Sequence, residues 1–249
     1  MTTMAGKIFV IGFGPGNKDN MTFRAADAVQ GCDIIFGYEV YTDILKEYFP
    51  GKEFRSSKML KEVERCTRAV EEAEKGTTVA VVSSGDSGIY GMAGIVYQIA
   101  GERRSDIDIE VIPGITAASA AASLLGAPLM HDLAIISLSD LLTPIDLIMK
   151  RVECAGEGDM IVCLYNPKSK KRIDHAERAA DILLRFRKGD TPVGIARNIG
   201  RTDENVTLTT LEKLKDGDID MFSTVIIGNS QTYVSGGKMI TPRGYRLNS

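Results

Sequence analysis

Short apolar runs alternate with segments of helical spacing along almost the whole chain, and that alternation most limits the folds open to it. Residues 7–11, 33–36 and 78–83 each hold a short apolar or β-branched run, the pattern of buried strands. Residues 21–30, 61–75, 87–100 and 116–125 carry helical spacing, with Thr22 and Thr116 placed as N-caps. Residues 107–112 alternate apolar and acidic side chains, as a half-buried strand does. Gly126-Ala127-Pro128 interrupts the series, and it then restarts. Strands are predicted at 133–138, 160–165, 192–199, 206–210, 224–227 and 238–241, and helices at 144–155 and 169–188. The chain is therefore expected to be α/β, with a largely parallel sheet first and a mixed sheet later. Two domains are expected, 1–130 and 131–249, with a small-molecule site in the cleft between them.

Composition narrows the function more than the fold. A formal net charge of −3 supplies no global field for nucleic acid. No window reaches the roughly 18 apolar residues of a membrane span. Cys32, Cys66, Cys154 and Cys163 show no C-x-x-C spacing and read as reduced thiols, which points to the cytoplasm. His131 and His175 stand far apart with no H-E-x-x-H, so no metal site is expected.

Three small-residue loops follow predicted strands. The first, Gly12-Phe13-Gly14-Pro15-Gly16-Asn17, fails as a dinucleotide fingerprint. Asn17 stands where the third glycine belongs, and Pro15 lacks an amide donor. A tight turn and a close ligand approach both remain open. The second is Ser83-Ser84-Gly85-Asp86-Ser87-Gly88-Ile89-Tyr90-Gly91. Asp86 there could accept from a ligand ammonium or cap the following helix. The third is Ile112-Pro113-Gly114-Ile115-Thr116-Ala117-Ala118, whose helix N-terminus suits a carboxylate.

Taken in this order, the loops resemble the tetrapyrrole methylases. The likeness lies in Gly12-Phe13-Gly14-Pro15-Gly16, in Gly85-Asp86-Ser87-Gly88-Ile89-Tyr90, and in Val111-Ile112-Pro113-Gly114-Ile115-Thr116-Ala117. Gly126-Ala127-Pro128-Leu129-Met130-His131-Asp132, the segment 136–144 and Leu164-Tyr165-Asn166-Pro167-Lys168 resemble the branch that methylates C17 of precorrin-3B or cobalt-factor III. The resemblance runs from about Gly6 to about Tyr245. It implies a class III methyltransferase fold with S-adenosyl-L-methionine in the interdomain cleft and S-adenosyl-L-homocysteine as product. It also implies a homodimer, a polycarboxylated macrocyclic substrate in cobalamin biosynthesis, and ring contraction coupled to methylation.

The resemblance places cofactor contacts at Gly12, Pro15, Gly85, Asp86, Ile89, Thr116 and Ala117. Tyr165, Asn166, Arg197, Asn198 and Thr224 join them from the second half. Other branches carry Asp after G-x-G-P-G, read there as a catalytic acid–base residue. Asn17 cannot exchange a proton at ordinary pH, so that role is not carried over. A hydrogen bond to a substrate carboxylate and a plain turn role are both open for it. His131 is the candidate acid or base for ring contraction, set against a hinge histidine bonded to backbone. Ser137, Ser139 and Thr143 are placed on the substrate side. Lys168, Lys170, Lys171 and Arg172 open the predicted 169–188 helix against its dipole, where a polycarboxylate would offset the cost. His175 is expected to be solvated.

The rival readings are a C11 methylase of the same fold, a cofactor-binding module without turnover, and a nicotinamide oxidoreductase. Methyl transfer from a sulfonium needs alignment and exclusion of water rather than a triad or a metal, which suits this chain.

Overall fold

The computed structural model describes residues 6–169 and 172–246. The chain divides into two compact units, Met1–Ala117 and Ala118–Ser249.

The first unit is a five-stranded parallel sheet. Its elements run β1 (Lys7–Gly12), α1 (Phe23–Gly31), β2 (Ile34–Tyr38), α2 (Glu39–Tyr48), β3 (Glu53–Ser57), α3 (Glu62–Glu74), β4 (Val79–Ser83), α4 (Ala93–Arg103) and β5 (Asp108–Ile112). The strand order is β3-β2-β4-β1-β5, every pair parallel. Strand β4 is buried along its whole length, which is why it reads as an unbroken apolar run. One sheet face packs on α1 and α2 through Ile11, Ile35, Val82, Ala25, Val29 and Leu45. The other packs on α3 and α4 through Val10, Phe36, Val81, Ala69, Val70 and Val96. Helix α1 begins as its sequence predicts, with the Thr22 hydroxyl accepting from Ala25 N at 3.1 Å.

In the second unit, α5 (Ala117–Leu125) and a short β6 (Gly126–Ala127) precede β7 (Leu133–Ser137), α6 (Ile145–Glu157), β8 (Ile161–Tyr165) and α7 (His175–Leu183). Then come β9 (Pro192–Arg197), β10 (Asn205–Thr210), β11 (Ser223–Ile227), β12 (Tyr233–Ser235) and β13 (Lys238–Ile240). The main sheet has order β10-β9-β11-β8-β7 and is mixed. Strands β7 and β8 are parallel, and the remaining pairs are antiparallel. Helices α6 and α7 cover one face. The alanines of α5 pack on the other, against Ile161, Cys163, Ala196 and Ile226. That packing puts α5 with the second unit, whereas the sequence places the division near residue 130, where the β/α alternation restarts.

Two helices and one residue depart from expectation for physical reasons. Helix α4 starts at Ala93 and not near residue 87. The stretch before it is held as loop, with Ser87 O accepting from Ala93 N at 3.0 Å. Helix α7 starts at His175 and not at 169. Asn166 takes a left-handed φ of 51°, and Ser169 and Arg172 close a turn, Ser169 N to Arg172 O 2.9 Å. Lys168 and Arg172 therefore precede the helix and do not open it; Lys170 and Lys171 lie outside the described residues. His175 is buried, because the shortened helix sets its first residue against Leu138.

Candidate active site

Strands β4, β1 and β5 are adjacent, so the three glycine-bearing loops leave one edge of the first sheet side by side. After β1 the chain passes to α1 on one face, and after β4 to α4 on the other. A parallel sheet opens a crevice at such a switch point, outside the carboxyl ends of its strands.

The loops are joined chiefly through backbone atoms. Gly14 N donates to Gly85 O at 3.0 Å, and Gly85 N donates to Gly14 O at 2.8 Å. Ser87 Oγ, buried, donates to Ile112 O at 3.2 Å. A Cβ on Gly12 would stand 2.7 Å from Gly85 O and 2.8 Å from Gly114 N. A Cβ on Gly114 would overlap the Gly85 carbonyl and stand 2.5 Å from Gly12 O. No side chain fits at either position.

Asp86 ties the second loop to the third. Its Oδ1 accepts from Gly88 N at 2.8 Å and Ile89 N at 3.1 Å, while Oδ2 accepts from Gly114 N at 3.0 Å. The carboxylate thus serves the loops and not the cap of α4. Pro15 is buried and Ile89 exposed. Thr116 and Ala117 stand at the start of α5. Asn17 caps a short 3-10 turn, its Oδ1 accepting from Asn20 N at 3.1 Å and Asn20 Nδ2 at 2.6 Å.

In the second unit, mixed pairing gathers the candidates at one sheet edge. Ser137 pairs with Tyr165 at the ends of β7 and β8. Strand β11 runs antiparallel to β8 and β9, so Thr224 at its start lies across from Ala196, beside Arg197 and Asn198. Asn166 Nδ2 donates to Ser137 Oγ at 3.0 Å, and Ser139 N to the same oxygen at 3.3 Å. The Tyr165 hydroxyl accepts from Ala118 N at 2.6 Å, serving one amide of the α5 N-terminus. Asn198 repeats the left-handed backbone of Asn166, also with φ 51°. Asparagine tolerates that region better than most residues. Arg197 is committed to Asp218 and, through Nε at 3.3 Å, to Asp220. Thr224 is buried and Thr143 half-buried.

His131, half-buried, precedes β7 and so stands at the opposite end of that sheet from Ser137, Tyr165 and Asn166. At strand rise the separation along β7 is about 15 Å or more. The structure does not bring His131 to that edge. Among the described residues, no three His, Cys, Asp or Glu side chains gather as a metal set, and no helix is long and apolar enough to cross a membrane.

Several contributors escape a reading of the sequence. Ser87 and Gly114 carry loop contacts, and Gly114 is signalled only by its Pro-Gly dipeptide at a strand end. Asp140 and His175 pair across a long sequence separation, 3.9 Å between Oδ2 and Nε2, and no local pattern signals that.

Comparison with known proteins bears on the whole chain. The sequence model for the tetrapyrrole (corrin/porphyrin) methylases matches residues 7–215. A probable cobalt-factor III C(17)-methyltransferase of Salmonella typhimurium is 49% identical over 238 residues, covering 96% of this chain and 99% of that protein. A cobalt-factor III methyltransferase of Priestia megaterium is 47% identical over 247 residues, covering 98% of this chain but 46% of that longer protein. Among solved structures, the methyltransferase CobJ superposes with a TM-score of 0.87 at 32% identity, covering 95% of this chain and 100% of that one. With a family match across most of its length and relatives this similar over nearly all of it, the chain belongs to the tetrapyrrole methylase family.

Proposed function

We propose that this protein is an S-adenosylmethionine-dependent methyltransferase that methylates C17 of cobalt-factor III, coupled to ring contraction, in cobalamin biosynthesis. The observation that carries the reading is the 49% identity, at nearly full length on both sides, with the Salmonella protein of that name. The loop geometry agrees with it. Gly85, at φ +69°, would aim a Cβ to within 3.7 Å of Ala117 N and 3.9 Å of Ile115 O, so the second and third loops lie in contact and form one backbone surface. A surface of small residues and backbone groups of this kind lets a nucleoside with an amino-acid tail approach the main chain closely.

When bound, the cofactor would supply a methyl group already activated on a sulfonium, transferable to carbon with the C–S electron pair left on sulfur. The chain's own work is placement and exclusion of water. Gly12, Pro15, Gly85, Asp86, Ile89, Thr116 and Ala117 hold the cofactor, chiefly through backbone. The family resemblance adds Tyr165, Asn166, Arg197, Asn198 and Thr224. Arg197 contributes through its backbone, since its guanidinium is engaged by Asp218 and Asp220. Ser137, Ser139, Thr143, Lys168 and Arg172 face the macrocycle. Asn17 acts in its turn. His131 is retained as the candidate acid or base of ring contraction, and the enzyme works in the cytoplasm as a homodimer.

The test is incubation with cobalt-factor III and methyl-13C S-adenosylmethionine. S-adenosylhomocysteine release and a labelled methyl at C17 are expected. Label at C11 would replace the assignment with the rival methylase, and cofactor binding without release would indicate a non-catalytic module. Replacing His131 by Gln should leave methyl transfer intact and slow contraction, and light scattering reads the dimer.

A further inference from the structure

Within the second unit, Arg172 is only 8% exposed, yet among the described residues its side chain lacks the close partners a buried cation normally has. Its Nε is sealed from solvent and has no hydrogen-bond partner among the described residues. Its ion-pair neighbour is Asp140, with Nη1 3.9 Å from Oδ1, beyond hydrogen-bond reach. Beside it lies His175, 7% exposed. Nδ1 of this ring is 3.0 Å from Leu138 O. A carbonyl can only accept, so Nδ1 carries the proton and fixes the ring's orientation. Nε2 then faces Asp140 at 3.9 Å and Asp174 at 4.0 Å.

His175 is also the first residue of α7, and the Asp174 side chain makes no capping hydrogen bond to that helix. Its N-terminal turn therefore presents amides and partial positive charge next to the Arg172 cation. Along the sequence, Lys168, Lys170, Lys171 and Arg172 outweigh Asp140 and Asp174. Apolar side chains flank the cluster in sequence on both strands of the turn pair: Leu141 and Leu142 follow Asp140, and Ile173 follows Arg172, all exposed. A ligand with an anionic rim and an apolar face matches this combination.

We propose that Arg172 and the N-terminal turn of α7 anchor one peripheral carboxylate of the macrocycle, with His175 and Asp140 as positioning residues. His175 steadies the 138–140 turn through the Leu138 carbonyl, and Asp140 holds the guanidinium loosely, at 3.9 Å, until a closer anion replaces it. The inference rests on the corrin reading of the site.

The experiment compares wild type with Arg172→Gln, Arg172→Lys and His175→Gln. It measures kcat and KM for cobalt-factor III, the cofactor Kd by calorimetry, and binding of uroporphyrin and its octamethyl ester by fluorescence. Arg172→Gln should raise KM about tenfold or more, with kcat and cofactor Kd changed less than about twofold. Arg172→Lys should recover part of the loss, because it keeps the charge but not the fork. His175→Gln should raise KM by less. Wild type should bind the octa-acid more tightly than its ester, and that preference should shrink in Arg172→Gln. An unchanged KM in Arg172→Gln, or cofactor affinity falling with it, would overturn the anchor. If wild type leaves cobalt-factor III unmethylated, the functional reading fails on its own, and the porphyrin arm still decides. Ester and acid binding equally to wild type would overturn the anchor even if no variant folds.

Discussion

Gly114 is the residue on which the loop cluster most depends. Its Cα faces the Gly12 and Gly85 carbonyls, and its amide is the one Asp86 Oδ2 holds. Gly114→Ala would push the third loop away from the first and second, and overpacking of this kind costs about 1–3 kcal/mol. The loss should appear in cofactor binding as well as in stability, as a Kd raised about tenfold or more by calorimetry. The same substitution at Gly94, in helix α4, where an added Cβ would meet nothing within 4 Å, should leave cofactor Kd unchanged. Asp86 belongs to the same argument. Its sequence position allows a ligand contact or a helix cap, and the structure directs all three of its observed bonds to loop amides.

At the scale of elements, buried Arg187 joins parts that are distant in sequence. Nη1 donates to Gly228 O at 2.7 Å after β11, and Nη2 donates to Met160 O before β8 and to Ala155 O in α6 at 3.5 Å. Burial pushes its pKa below the usual arginine value. Arg187→Met would take the guanidinium from the Gly228 and Met160 carbonyls, while Ala155 O keeps Met160 N at 3.0 Å, so a loss of about 3 kcal/mol is expected from urea unfolding. A loss below about 1 kcal/mol would mean water replaces the guanidinium there. Nothing in the sequence marks this arginine, because its acceptors are backbone atoms set by tertiary structure. The same reasoning separates legible elements from hidden ones. Strands β4 and β8 are buried, hence apolar and readable. Strand β3 is a polar edge strand, Glu53-Phe54-Arg55-Ser56-Ser57, with no alternation to read, and neither it nor α2 before it stands out from the sequence pattern. The helix expected at 169–188 overruns α7, because helical spacing continues through residues that a left-handed Asn166 and the 169–172 turn hold out of the helix.

Across the whole molecule, three buried thiols oppose ionisation. Burial pushes Cys32 and Cys163 up to about 12 and Cys66 up to about 11, from an ordinary value of 9.0. The folded state thus keeps protons that the unfolded chain releases. This contribution is fully present below pH 9.0 and is lost as pH rises toward 11 and 12. Melting temperature should fall through that window, and the fall should be shallower when the three cysteines are replaced by alanine. An equal slope in that variant would contradict the assignment. Cys154, the exposed thiol, should react with an alkylating reagent in the folded protein while the other three resist.

The loop cluster is readable from sequence because close backbone approach demands glycine. The second-unit candidates are readable only as separate positions. Tyr165, Asn166, Arg197, Asn198 and Thr224 come to one edge because β11 runs against its neighbours, a pairing that spacing does not encode. His131 is singled out by residue type alone, and its place before β7, away from that edge, is likewise set by tertiary structure.

The account stands on the three loops of the first unit acting as one binding surface, and amide hydrogen exchange with and without saturating S-adenosylhomocysteine tests that directly. Segments 12–17, 83–91 and 112–118 should gain protection together, at the same ligand concentration. Exchange unchanged in all three, or protection confined to other segments while the ligand is bound, would contradict it.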